Sequence, residues 1–382
     1  MRIVQLTTDS REHYGDYTNP NPGFGAAPEA LLQGFALLPE VEIHVVSCVQ
    51  QPLPSPEKIA PNVFYHSLVV PKLGWMRTFY QGCVSATRNK LREIRPDIVH
   101  GQGTERDCSL AAIRSGFPNV LTIHGNMKGV AQTYRARIGS FHWLATQLET
   151  FALKRADGVF CNSAYTEKLV APRAKKTWRV PNALRLEFFT PPPQKKPADK
   201  PVLLNVGVVQ PYKQQLELLA VAKNLHARGL KFEMQFAGLV TPDTEYGAAF
   251  LREMVAAEKA GYARRLGLLS STQIIAAMDD AHALVHFPTE EAFGLVVAEA
   301  LARNLKLFAG TTGGVVDIAG GVADAELFPA KDFAGLESAL ARWLTEGCPS
   351  RQSAAALMKA RYHPEIIARR HLEIYREVLK AG

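Results

Sequence analysis

HFPTEEAFGLVVAEALARN (286–304) reads as a strand end, a short loop and a helix start. The apolar run HALVHFP stops at Pro288, whose ring fixes φ and removes the donor that a ladder needs. The loop TEEAF follows, and the apolar spacing from Gly294 onward predicts a helix. A helix N-terminus carries backbone N–H groups without intrahelical partners and a partial positive charge, a ready seat for phosphate or for hydroxyls. Glu291 lies just before that seat and can accept hydrogen bonds from the hydroxyls of a ligand. Glu299, inside the helix, can accept a vicinal pair of hydroxyls where its face borders a cleft. The bland alternative is a surface helix with two solvated glutamates, and the strand–loop–helix context argues against it.

Outward from this window the same alternation repeats. RIVQLTT (2–8) precedes APEALLQGFALL (27–38), and VEIHVVSC (41–48) follows. PDIVHGQ (96–102), PNVLTIH (118–124) and ADGVFCNS (156–163) keep the rhythm. Their apolar runs are too continuous for strands with one wet face, which indicates parallel strands covered on both sides. The rhythm breaks at TPPPQKKPADKP (190–201), an extended proline-rich linker, and then resumes. VLLNVGVV, KFEMQFAG, HALVHFP and LKLFAG are strands of a second series, with helices between them. The expected fold class is α/β, with two Rossmann-like, doubly wound parallel-sheet domains facing an inter-domain cleft. The domains are drawn as 1–189, the linker 190–201, and 202–362. A C-terminal helix, 363–382, is expected to pack back on the first domain. Its apolar stripe is Ile366, Ile367, His371, Ile374 and Val378, with Pro364 in the first turn.

Composition bounds the function. The chain has 382 residues, 47% hydrophobic and 21% charged, so disorder and small disulfide scaffolds are excluded. No apolar run reaches the roughly 18–20 residues that span a bilayer. MRIVQLTTDS reads as a strand and not as a signal peptide. Cys48, Cys83, Cys108, Cys161 and Cys348 are odd in number and widely spaced, arguing for a reducing, cytoplasmic setting and against a zinc site. The net charge of +8 favours polyanions. The densest basic stretch runs from Arg173 through Lys175, Lys176, Arg179, Arg185, Lys195 and Lys196 to Lys200. It reads as a solvated face plus linker, with contact to an anionic membrane as the alternative, and no nucleic-acid-binding signature accompanies it. Asp279 and Asp280, at a helix end, read as structural and not as metal ligands.

These segments together resemble a known family. EAFGLVVAE is similar to the E-x7-E signature of retaining glycosyltransferases of the GT-B fold, the glycogen synthase-like family 4 enzymes. MRIVQLTTDS with PNPGFGAAPEALL resembles the family's first strand and glycine loop. PDIVHGQG, LTIHGN, ADGVFCNS, RVPNALRLEFF, AGTTGG and HLEIYREVL resemble its later motifs, in order along the chain. The resemblance implies a hexosyltransferase that uses a nucleotide diphosphate sugar as co-substrate, with no resident cofactor or metal and a glycan, lipid-linked or small-molecule acceptor. Catalysis would fall to His124, Lys213 and Glu291. Donor binding would fall to Gly25, Gly207, Lys213, Glu291, Phe293, Gly294, Leu295, Val296 and Glu299. Tyr14, in the long segment 11–21, and Asn126 would face the acceptor, while His100, which ends its strand as His124 does, reads equally as a structural residue or an acceptor contact.

GVVQPYK (207–213) departs from the family's pattern, since Val208 stands where the family has an arginine. An arginine fork gives bidentate bonds to phosphate that a lysine alone does not. Either another cation such as Arg11, Lys128 or Arg185 replaces it, or donor use is altered. The rivals are therefore a nucleotide-sugar-binding protein without turnover, and an epimerase or hydrolase on the same fold. The expected location is cytoplasmic, including the inner face of the membrane.

Overall fold

The computed structural model describes residues 1–133, 135–194 and 198–381. Lys195, Lys196 and Pro197 of the expected linker lie outside the described residues. The chain divides into two compact units, Met1–Leu186 with Tyr362–Gly382, and Glu187–Arg361. The division thus falls ahead of the proline-rich segment.

The first unit is built on eight strands: β1 (Arg2–Leu6), β2 (Glu42–Val49), β3 (Lys58–Ala60), β4 (Val63–Val69), β5 (Ile98–Gln102), β6 (Asn119–Ile123), β7 (Gly158–Cys161) and β8 (Thr177–Arg179). Their order in the sheet is β3-β4-β2-β1-β5-β6-β7-β8. Every residue of β5, β6 and β7 is buried, as continuous apolar runs between two helical layers require. All neighbours pair parallel except β3, a three-residue edge strand antiparallel to β4. The registers Leu6↔Gly101, Gln102↔Thr122 and Ile123↔Cys161 bring the carboxyl ends of β1, β5, β6 and β7 abreast. The loops that leave them carry His124, Asn126 and Ser163.

The C-terminal helix Pro364–Ala381 belongs to this unit. It buries Ile367, Ala368, His371, Leu372, Ile374, Tyr375 and Val378, whereas Ile366 is 47% exposed. The expected stripe is thus rotated off Ile366, because Ala368, Leu372 and Tyr375 complete the apolar face. The helix Ala26–Ala36 approaches it so closely that a Cβ on Gly34 would collide with the Pro364 carbonyl.

The second unit holds β9 (Val202–Val206), β10 (Glu233–Ala237), β11 (Ala263–Gly267), β12 (Ala283–His286), β13 (Lys306–Gly310) and β14 (Ala325–Phe328). The order is β11-β10-β9-β12-β13-β14, all parallel. β9 and β12 are adjacent, so the strand order reverses between them. In open α/β sheets ligands bind outside the carboxyl ends of the strands at such a switch point. The segments after β9 and β12 contain Lys213 and Glu291.

Candidate active site

Lys213 ends the 3-10 turn Pro211–Lys213, and Gln214 then takes a left-handed conformation (φ 57°) to start the helix Gln215–Ala227. Glu291 stands in the loop after β12. The Lys213 ammonium lies 2.7 Å from Glu291 Oε2, and His286 Nε2 lies 3.0 Å from the same oxygen. Burial pushes the Glu291 carboxyl up, but the Lys213 charge and the His286 hydrogen bond outweigh it and hold the pKa at about 2. Burial lowers the proton affinity of His286 despite its carboxylate neighbour. It therefore acts as a neutral ring donating Nε2–H to Glu291. The Thr289 amide donates to the Tyr212 carbonyl at 2.7 Å, which ties the Lys213 turn to the Glu291 loop.

Gly294 caps the helix Leu295–Ala302 in the left-handed region (φ 98°), where a side chain is strained and glycine is not. Beneath the loop, the Gly314 amide donates to the Glu291 carbonyl at 3.1 Å. A Cβ on Gly314 would lie 2.6 Å from the Ala292 carbonyl oxygen, so the AGTTGG segment can pack here only as glycine. The first helical amides, of Leu295 and Val296, begin the helix where intrahelical acceptors do not yet exist. Phe293 is buried and anchors the loop, and Glu299 is also buried, on the inner side of the helix. Val208 is 39% exposed. Gly207 hydrogen-bonds the end of β10 through its amide to Ala237 O.

In the first unit His124 follows β6 directly. Its Nε2 lies 3.0 Å from Gln102 Oε1, and burial pushes its pKa down to about 4. The neutral ring thus donates Nε2–H to Gln102 and leaves Nδ1 as an acceptor. Gln102 is itself fixed, donating to Gln5 Oε1 at 2.8 Å, and Gln5 donates to Tyr375 Oη at 3.0 Å. Asn126, buried two residues on, has a side-chain oxygen with no hydrogen-bond partner among the described residues. Glu149, with no exposed surface, holds this edge together. It accepts from Thr104 Oγ1 at 2.9 Å, from the Met127 amide at 3.3 Å and from Arg173 at 3.0 Å.

Several expected residues are placed elsewhere. His100 is wholly buried, bonded to Tyr375 Oη at 2.5 Å and Thr122 Oγ1 at 2.6 Å, so it is a core histidine and reaches no acceptor. The segment 11–21 is not a free loop. Asp9 caps a helix, Ser10–Tyr14, that ends at Gly15, and Tyr14 stands exposed at its last position. Arg11 is buried, pairs with Asp9 at 2.7 Å and donates to Asn19 O, Pro54 O and Ser55 Oγ. It is consumed by that network and is no substitute for the missing arginine. Lys128 is exposed, and Arg185 lies 3.7 Å from Glu29. Gly25 is the exposed N-cap of the helix Ala26–Ala36 at φ −60°, a conformation open to any residue. Asp279 gives both oxygens to Arg303, at 2.8 and 2.7 Å.

Sequence reasoning missed His286 and Glu149. The short spacing from His286 to Glu291 was a usable signal, whereas Glu149 sits in FHWLATQLETFAL like any solvated helix glutamate. The spread cysteines also converge: Cys48, Cys83 and Asp107 bring ligand atoms within 4.8 Å of one another. The hydrogen bond with Cys48 and burial push the Cys83 thiol up, and burial raises Asp107. A neutral Cys83 thiol suits apolar packing.

The family model Glycosyltransferase Family 4 matches residues 36–188, and Glycosyl transferases group 1 matches residues 188–360. A comparison with curated proteins finds no match. Among solved structures, sucrose-phosphate synthase from Thermosynechococcus elongatus superposes with a TM-score of 0.79 at 20% identity, over 100% of both chains. HepE from Anabaena, solved in complex with UDP and glucose, gives 0.71 at 15% identity, over 99% of this chain and 100% of that one. The lipopolysaccharide outer core galactosyltransferase WaaB, in its apo form, gives 0.67 at 16% identity over the same shares. With a family 4 domain followed by a group 1 domain on two parallel-sheet α/β units, the chain is a glycosyltransferase of the GT-B fold.

Proposed function

We propose that the protein is a retaining hexosyltransferase that moves a hexose from a nucleoside diphosphate sugar to a hydroxyl acceptor. The observation that carries this reading is the convergence of Lys213 and His286 on one oxygen of Glu291, beside a helix start that only glycine can cap. The leaving diphosphate develops charge, which Lys213 and the amides of Leu295 and Val296 stabilise. Glu291, kept ionised, accepts hydroxyls of the donor sugar through its lone pairs. Phe293 and Gly294 hold the loop, Glu299 receives the ribose, and Gly207 and Gly25 give backbone access to the donor. His124 offers Nδ1 to a sugar hydroxyl, and Tyr14 and the unpartnered Asn126 oxygen belong to the acceptor side. No resident cofactor or metal enters the proposal. HepE, a structural neighbour solved with UDP and glucose, supports a nucleotide-sugar donor.

Val208 favours a second reading, a protein that binds the nucleotide sugar and does not turn it over. The test is thermal stability with UDP, GDP, ADP and dTDP, on wild type and Lys213→Ala. It is followed by incubation with the matching nucleotide sugar and NMR of the anomeric configuration in the product. A single nucleotide should stabilise the wild type alone, by about 2.7 kcal/mol at 100 times its dissociation constant. Transfer with retained configuration then supports the enzyme, stabilisation without turnover supports the binding protein, and no shift with any nucleotide refutes both.

A further inference from the structure

The basic stretch 173–200 is largely neutralised where it is described. Arg173 pairs with Glu149, Lys175 with Asp157, Lys176 with Glu377, Arg179 with Glu167, Arg185 with Glu29 and Lys200 with Glu233. A different segment of the first unit keeps its charge. Between Glu57 and Glu93 the sequence contains no Asp or Glu, yet it carries Lys58, Lys72, Arg77, Arg88, Lys90 and Arg92. Lys90 pairs with Glu93 just beyond the stretch, while Lys72, Arg77 and Arg88 make no ion pair among the described residues.

The same segment exposes its large apolar side chains. Leu73 is 70% exposed, Phe79 53%, Val69 50% and Met76 39%. Leu73 and Met76 stand on two successive 3-10 turns, Lys72–Gly74 and Met76–Thr78, which also carry Lys72 and Arg77, while Val69 ends β4 and Phe79 follows the second turn. These turns are firmly held. Trp75 is buried, donates Nε1–H to the Val70 carbonyl at 2.9 Å and meets Tyr80 edge-on. A Cβ on Gly82 would lie 2.6 Å from the Gly74 Cα, so the turns sit directly on the start of the helix Gln81–Ile94. Phe79 and Tyr80 are both left-handed (φ 52° and 60°), a strained arrangement for aromatic residues that the anchored Trp75 and Tyr80 sustain. The result is a pinned turn whose apolar tips point outward among unpaired cations.

We propose that residues 69–79 are a docking surface for an anionic lipid bilayer, with Leu73, Met76 and Phe79 entering the headgroup–acyl boundary and Lys72 and Arg77 meeting lipid phosphates. Apolar side chains flanked by cations are what a negatively charged interface binds. A second copy of the chain is disfavoured as the occupant, because two such faces would bring like charges together. The surface acts independently of which donor the enzyme uses.

The test is co-sedimentation of the full chain with phosphatidylcholine vesicles, with and without phosphatidylglycerol. The wild type should pellet only with the anionic vesicles. Leu73→Ser/Phe79→Ser and Lys72→Ser/Arg77→Ser should each weaken binding about tenfold or more. Lys175→Ser/Lys176→Ser should bind like wild type. All of these positions are solvent-facing, and unchanged near-UV circular dichroism confirms folding. The proposal is overturned by absence of wild-type binding, by loss in the Lys175/Lys176 variant with the 69–79 variants intact, or by a dimer in size exclusion that Leu73→Ser/Phe79→Ser abolishes.

Discussion

Replacing Lys213 with methionine tests the charge arrangement of the second unit without any ligand. In the folded protein the Glu291 carboxyl sits at about 2, against an ordinary value of 4.5. At about 1.4 kcal/mol per pKa unit, this corresponds to roughly 2–3 kcal/mol of stability, after a small discount for the 15% of the side chain that is exposed. The folded pKa is depressed, so the contribution is fully present above about pH 4.5 and is lost as pH falls through 2. Lys213→Met removes the largest favourable influence, leaving burial opposed only by His286, and the Glu291 carboxyl returns towards its ordinary range or above. At pH 7 the variant should be less stable by about 2 kcal/mol, consistent with an uncompensated, partly buried charge. Urea unfolding at pH 7, 5, 4 and 3 measures the gap between the two proteins, which should hold from pH 7 to 5 and close by about half at pH 3. Lys213→Met/Glu291→Gln should recover much of the loss, because replacing both partners leaves no stranded charge. A gap below about 0.5 kcal/mol, or one that does not change with pH, would refute the assignment of a strong Lys213–Glu291 interaction.

Two further substitutions probe the supports of the site. Gly294→Ala forces a side chain into φ 98° and should cost about 1–2 kcal/mol in urea unfolding, while also reducing the thermal shift given by the preferred nucleotide; an unaltered shift would separate the helix start from nucleotide binding. Glu149→Ala strands Arg173, Thr104 and the Met127 amide in a site with no exposure, and should cost about 3 kcal/mol, with Glu149→Gln milder; equal stability of all three proteins would show that the buried carboxylate holds nothing.

How much of this was legible in the sequence depended on whether a feature is local. The strand series, the helix start at Gly294 and the glutamate before it follow from runs and breaks within a few residues of each other. The edge strand β3, the pairing of Lys213 with Glu291 and the role of Glu149 depend on chain closure over long separations, which no local pattern encodes. His100 and His124 show the difference most sharply. Both close apolar runs that precede a glycine, and local reading treats them alike. β5 continues through Gly101 to Gln102, paired with Thr122, so His100 lies inside the ladder and its ring goes to Tyr375 of the C-terminal helix. β6 ends at Ile123, so His124 emerges just past the ladder and meets Gln102. A shift of three residues in where the strand ends thus decides which histidine is core and which is presented. The stop is set by the neighbouring strands, because Gln102 keeps its pairing partner on β6 and His124 has none on β7, where the ladder closes at Cys161. Presentation of His124 is therefore a property of the carboxyl edge of the sheet and the Gln102–Gln5–Tyr375 chain behind it, and the residues that fix this geometry come from both ends of the sequence.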